Sequence, residues 1–150
     1  MVASTPAGDA FAYHLAQSSW QPPAETEVCF VSVAERSAPA RGRVATRALL
    51  DGWLTPAQVG DALLLVSELM TNAVRHAPHG AGATVTLRLG RTGHCVRGEM
   101  SDDGPGFDVA LERPRSTDSG GRGLLLVDAL ASRWGASMAS GHCVWFELDV

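Results

Sequence analysis

The residues of this chain best placed to do chemistry are a glutamate and an asparagine one helical turn apart. Glu68 and Asn72 lie in a segment with helical spacing, so both side chains fall on one face, about 6 Å apart along the helix axis. Asn72 is the only asparagine in the sequence. A carboxylate can accept a proton from a hydroxyl group, and an amide oxygen is a ligand for Mg²⁺. The same spacing is also compatible with an ordinary solvated helix face.

Two glycine-rich segments follow this helix. The segment 102–106, Asp-Asp-Gly-Pro-Gly, comes directly after a strand pattern. Its glycines would let a nucleotide pack against the backbone, and Asp102 could accept a hydrogen bond from an exocyclic amine. The segment 120–123, Gly-Gly-Arg-Gly, precedes an apolar helix whose first N–H groups form an anion site. Taken alone, each segment is also an ordinary turn or helix cap.

The composition excludes several classes of function. Lysine is absent, whereas P-loop NTPases, eukaryotic-type kinases and Schiff-base enzymes each require one. The net charge of −4 argues against direct binding to nucleic acid, and no apolar stretch is long enough to span a membrane. Because no signal-peptide pattern is present, we expect a cytoplasmic protein. Cys29, Cys95 and Cys143 are expected to be buried free thiols rather than disulfide partners or zinc ligands.

Apolar periodicity predicts the order of the secondary-structure elements. Thr55 and Pro56 mark the start of the helix that carries Glu68. Residues 1–23 are predicted to be a flexible arm, and residues 24–150 a single domain. Strand pairs between helices favour an α+β two-layer sandwich over a doubly wound parallel sheet. The predicted elements are strand 26–34, helices 41–50 and 56–76, hairpin strands 84–89 and 95–100 with a turn at 90–93, helix 123–131, and strands 136–139 and 143–150.

Together, in this order and on these elements, the three segments resemble the Bergerat-fold ATP-binding domain of histidine kinases, gyrase-type ATPases and heat-shock protein 90 chaperones. The first box of that superfamily is matched by Glu68-x-x-x-Asn72, the second by Asp102-x-Gly104-x-Gly106 and the third by Gly121-x-Gly123. The resemblance covers about residues 41–150. It implies a mixed, mostly antiparallel sheet that helices cover on one face.

A narrower resemblance is carried by three segments: 67–77, 121–128 and 144–148. They look like the short bacterial anti-sigma factor serine/threonine kinases. Members of that family bind a sigma factor and phosphorylate an antagonist protein of the STAS class. The resemblance therefore implies a sigma factor and a STAS protein as partners, ATP and Mg²⁺ as cofactors, and a homodimer.

The resemblance also implies a role for each matched residue. Glu68 would be the general base that takes the proton from a Ser or Thr hydroxyl. Asn72 would hold Mg²⁺, and the carboxylate of Asp102 would pair with the adenine amino group. The remaining implied contacts to ATP are Gly104, Gly106, Gly121, Arg122, Gly123 and the N–H of Leu124.

One departure from the family pattern concerns the last strand. Where the family usually has Gly-Lys-Thr, this chain has Gly141, His142 and Cys143, so we expect a thiol in place of the hydroxyl that supports the adenine side. Two alternatives to a kinase remain open at this point. One is an ATP-gated anti-sigma binding module without kinase activity, and the other is a regulatory domain whose nucleotide site has decayed.

Overall fold

The structure is a computed structural model that describes residues 27–77, 82–102, 122–137 and 142–150. The predicted flexible arm, residues 1–23, lies outside the described residues. Within the described ranges, helices separate an edge strand, a hairpin and a second pair of strands. The elements are β1 Glu27–Val33, α1 Ala38–Leu50, α2 Pro56–His76, β2 Thr84–Thr92, β3 Cys95–Asp102, α3 Arg122–Leu130, β4 Arg133–Ser137 and β5 His142–Asp149.

The described strands form one sheet in the order β1-β2-β3-β5-β4, and each of these pairings is antiparallel. Side chains from α1, α2 and α3 share a hydrophobic core with alternate residues of the strands, so the helices cover one face of the sheet. The central strand β3 packs against α2. This arrangement confirms the predicted α+β two-layer sandwich.

The helix α2 has the predicted bounds because its start is strongly specified. The hydroxyl of Thr55 accepts a hydrogen bond from the backbone N–H of Gln58, and the Gln58 side chain accepts one from the N–H of Thr55. This capping box, with Pro56 at the first helical position, fixes the N-terminus of the helix. Within a helix of these bounds, Glu68 and Asn72 lie one turn apart on the same face.

The buried stripe of α2 differs from its predicted position. The helical spacing that puts Glu68 and Asn72 on one face predicts that Leu64 and Leu65, one turn earlier, fall on the same polar side. In the structure, Leu65 is fully buried in the core while Leu64 is 49% exposed. The stripe that packs on the sheet follows the spacing i, i+3, i+4, i+7 from Ala62 to Ala73. The stripe is therefore rotated toward Asn72, whose side chain is only 9% exposed.

The hairpin turn is shorter than predicted. Gly90 belongs to β2, where it pairs with Arg97 of β3 and Glu27 of β1. The chain reverses at Gly93 and His94, and Gly93 has a φ of 49°, a conformation that glycine adopts without steric cost. Because β3 continues to pair with β2 past Gly90, through Arg91 and Thr92, this pairing overrides the local turn preference of the glycine.

The face of the sheet opposite the helices carries an ion-pair network. Arg97 lies 3.0 Å from Glu99 and 2.9 Å from Glu147. Arg133 contacts the other carboxylate oxygen of Glu147 at 2.6 Å and reaches Asp149 at 2.7 Å. Arg97, Glu99 and Glu147 are each only 5–6% exposed. Since an unpaired buried charge is costly, these side chains depend on one another for their burial.

Gly98 in β3 allows close packing of Phe146, and replacing it with alanine is expected to destabilise the protein. A Cβ at position 98 would overlap the Phe146 ring, which is fully buried and cannot move away. We expect Gly98→Ala to lower the free energy of unfolding by about 1–3 kcal/mol, measured by urea denaturation. Gly60→Ala is the matched control: nothing lies within 4 Å of that position in α2, so alanine should stabilise the helix by about 0.5–1 kcal/mol. A Gly98→Ala variant as stable as wild type would contradict this packing.

Candidate nucleotide-binding site

The first and third sequence motifs meet where α2 faces the start of α3. A Cβ built on Gly123 would lie 2.8 Å from Oε2 of Glu68 and 3.4 Å from Nδ2 of Asn72. At the first of these distances a side chain at position 123 would force the Glu68 carboxylate to shift, so glycine lets the carboxylate lie against the start of α3. The structure therefore brings together the predicted base, the predicted Mg²⁺ ligand and the second glycine of the Gly-x-Gly motif.

The first turn of α3 gives this meeting point its chemistry. The helix begins at Arg122, so the backbone N–H groups of its first four residues have no partner within the helix. Their partial positive charge adds to that of the helix dipole at the same end. The chain thus presents amide donors, a carboxylate and a carboxamide around one position, a combination that suits a phosphate group and its metal ion.

The predicted adenine-binding residue, Asp102, ends β3 on the helix-covered face of the sheet. It is 6% exposed, and its register partners are Val85 in β2 and His142 in β5. Because alternate residues of a strand share a face, Asp102 lies on the same side as Met100, which belongs to the core beneath the helices. Its carboxylate is therefore on the same side of the sheet as Glu68, and at the end of the strand on which α2 packs.

The predicted location of Cys143 is wrong. Cys143 is the register partner of Ser101, so it lies on the sheet face opposite Asp102, and the residue paired with Asp102 is His142. Burial raises the pKa of the Cys143 thiol to about 11; the charge of Glu99 adds to this effect, and a hydrogen bond with Ser101 opposes it. The thiol therefore does not replace a hydroxyl beside Asp102. A register shifted by one residue would exchange the two faces of β5. The register between β3 and β5 therefore decides which of His142 and Cys143 shares a face with Asp102.

The described cysteines are free thiols, as predicted. Cys95 and Cys143 form no disulfide and are half-buried rather than fully buried. Burial also raises the pKa of Cys95, and the nearby charge of Glu147 contributes. Among residues 27–77, 82–102, 122–137 and 142–150, no group of three or more His, Cys, Asp or Glu side chains could hold a metal ion.

In the part of the chain that the structure describes, none of the helices combines the length and apolarity that crossing a membrane requires.

Some predicted site residues lie outside the described residues, and others are described only by their backbone. Gly104, Gly106 and Gly121 lie outside the described residues. For Arg122 and Leu124, the structure describes the backbone, which forms the first turn of α3. The structure therefore describes two parts of the predicted site: the approach of Glu68 and Asn72 to Gly123, and the burial of Asp102.

Comparison with known families identifies the domain. The sequence pattern of the histidine kinase-like ATPase domain matches residues 31–148. The chain belongs to this family. An uncharacterized protein of Streptomyces coelicolor is 39% identical over 71 residues, which are 47% of this chain and 67% of that relative.

Two solved structures are similar to this chain. The RsbU and RsbW domains of a Mycobacterium tuberculosis protein match with a TM-score of 0.59 and 21% identity, covering 83% of this chain and 32% of that one. A blue-light activated histidine kinase domain from Erythrobacter litoralis matches with a TM-score of 0.51 and 26% identity, covering 74% and 58% of the two chains. The chain thus spans less than two thirds of either structure. Both similarities confirm the predicted Bergerat fold.

Proposed function

We propose that this domain binds Mg-ATP between α2, the end of β3 and the start of α3, and acts as a protein serine/threonine kinase of the anti-sigma factor type. The observation that carries the proposal is the contact of Glu68 and Asn72 with Gly123. It joins an acid–base group and a metal ligand to a helix N-terminus, at a point where a side chain at position 123 would push the Glu68 carboxylate away.

The residues present fit a magnesium nucleotide. Asn72 offers a side-chain oxygen to Mg²⁺, a ligand type that this hard cation prefers. The first-turn amides of α3, from Arg122 to Leu124, would bind the phosphates, with Gly104, Gly106 and Gly121 lining the site as the family resemblance implies. At the other end of the site, Asp102 accepts a hydrogen bond from the adenine amino group. Guanine presents a carbonyl at that place, so the carboxylate favours adenine.

Glu68 would supply the proton-transfer step. Its half-buried carboxylate takes the proton from the hydroxyl of a Ser or Thr residue on the substrate protein as the oxygen bonds to the terminal phosphorus. The bond from that phosphorus to the bridging oxygen of ADP breaks in the same transfer. When bound, Mg²⁺ stabilises the charge on the phosphate oxygens. The one-turn spacing lets Glu68 serve the nucleophile while Asn72 serves the metal.

The proposed partners follow from two similarities. Segments of this sequence resemble anti-sigma factor kinases, and one similar solved structure contains an RsbW domain. We therefore propose a sigma factor as the sequestered partner and a STAS-domain antagonist as the phosphorylated one. A homodimer in the cytoplasm completes this proposal.

The experiment that tests the function is a label-transfer assay. Purified protein, Mg²⁺ and γ-labelled ATP are mixed with candidate STAS proteins, and the same protein is melted with and without ATP. Label on a Ser or Thr of the antagonist supports the kinase. A rise in melting temperature without label supports an ATP-gated binding module, since a ligand at about 100 times its Kd stabilises by about 2.7 kcal/mol. No ATP-dependent rise would contradict nucleotide binding altogether.

A further inference from the structure

The carboxylate of Glu68 lies against the start of α3, the helix end at which the proposed function places the phosphates of ATP. Its Oε2 atom would be 2.8 Å from a Cβ on Gly123, so it rests against the backbone at the start of α3. Gly123 is buried and belongs to the first turn of that helix, where backbone amides lack helical partners. The side chains of Glu68 and Asn72 therefore both lie close to the positive end of the α3 dipole.

Two anions compete for this place. A carboxylate carries one negative charge and a nucleoside triphosphate carries several, so bringing both against the first turn of α3 costs Coulomb energy. Because Oε2 of Glu68 lies against Gly123, a phosphate bound to the first-turn amides of α3 would lie close to this carboxylate. A phosphate bound there must either move the side chain of Glu68 away or remain close to its negative charge, and both cost binding free energy.

We infer that Glu68 is a specificity-determining residue for the nucleotide as well as the proposed base. This inference rests on the proposed function of the same site. The nearby carboxylate weakens the binding of nucleotides whose phosphate chain reaches the start of α3. The cost increases with the number of phosphates, so it is greatest for ATP, smaller for ADP and smallest for AMP.

Calorimetric titration of ATP, ADP and AMP into wild type and Glu68→Gln tests this inference. The amide keeps the size of the side chain and removes its charge. We expect Glu68→Gln to bind ATP about tenfold more tightly than wild type does, ADP less than tenfold more tightly, and AMP with the same affinity within about twofold. Glu68→Ala should also tighten binding most for ATP, less for ADP and least for AMP, since it removes both the charge and the bulk of the side chain.

Asp61→Asn is the matched control. It makes the same change of charge on the same helix, seven residues or about 10 Å toward the N-terminus, beyond the Debye length of about 8 Å at physiological salt. Its affinities should equal those of wild type within about twofold. If Glu68→Gln binds ATP no more tightly than wild type, or tightens all three nucleotides equally, the inference is overturned while the nucleotide site stands. If neither wild type nor the variants bind any nucleotide, the proposed function itself fails.

Discussion

Glu68→Gln is expected to slow phosphoryl transfer to the antagonist by about 10²–10⁴-fold, the usual contribution of a positioned general base. The amide has nearly the same shape as the carboxylate, so the close packing against Gly123 is retained, but it cannot accept the proton of the attacking hydroxyl. Because Glu68→Gln is expected to bind ATP at least as well as wild type does, the loss should fall on the transfer step. Single-turnover label transfer at saturating ATP measures this step directly.

Asp61→Asn is the control for the transfer rate as well, since it removes a carboxylate from α2 two turns before Glu68. Its transfer rate should match that of wild type. A Glu68→Gln variant that keeps more than about a tenth of the wild-type rate would show that the carboxylate is not the base.

The second large effect is expected at the ion-pair network behind the sheet, where Arg97→Ala should lower the free energy of unfolding by about 3–5 kcal/mol. Arg97 holds two buried carboxylates, Glu99 and Glu147, and its guanidinium stacks 4.0 Å from the centre of the Trp145 ring. Without Arg97, the negative charges of Glu99 and Glu147 stay buried without the cation that both contact. The substitution also leaves a cavity next to the Trp145 ring. Urea denaturation followed by tryptophan fluorescence measures the change.

Arg41→Ala is the matched control for this effect. Arg41 pairs with Glu35 at 3.0 Å, the same distance as one Arg97 pair, but both side chains are about half exposed. An exposed pair contributes less than about 1 kcal/mol because water screens it and the side chains lose freedom. If Arg97→Ala and Arg41→Ala lower the free energy of unfolding equally, the buried carboxylates Glu99 and Glu147 depend on their arginine no more than the exposed Glu35 does.

Local patterns predicted the elements and much of the site, because the signals concerned are short in range. The capping residues at Thr55 and Pro56 fix the start of α2, and from there helical geometry places Glu68 and Asn72 on one face. The Gly-x-Gly pattern marked Gly123 as part of the third motif, but the side chains that are its partners could not be predicted from the sequence. The structure then shows that those partners are the two α2 side chains.

Long-range pairing decided what the sequence could not predict. The face on which Cys143 lies depends on the register between β3 and β5, strands separated by about 40 residues of chain, and no local signal sets it. The position of Leu65 likewise depends on which sector of α2 meets the sheet. A broad apolar helix offers more than one such sector, and packing selects between them.

The ion-pair network left only a weak signal in the sequence. Arg97 and Glu99 alternate with buried residues of β3, a pattern that usually indicates a solvent-exposed face. The structure buries both side chains because Glu147, nearly 50 residues later, lies on the neighbouring strand and completes their pairing. Alternating charges on two strands could have suggested such a network only once the strands were known to be adjacent.

The central claim is that ATP lies with its base at Asp102 and its phosphates at the start of α3, and titration of Mg-ATP into wild type and Asp102→Asn tests it most directly. A hydrogen bond to a charged group contributes about 1.5–3 kcal/mol, so Asp102→Asn should weaken ATP binding about 10- to 100-fold. Asp128→Asn makes the same substitution at an exposed position of α3, where the side chain accepts a hydrogen bond from Trp134, and should leave the affinity unchanged. Wild-type affinity in a folded Asp102→Asn variant would contradict the proposed site.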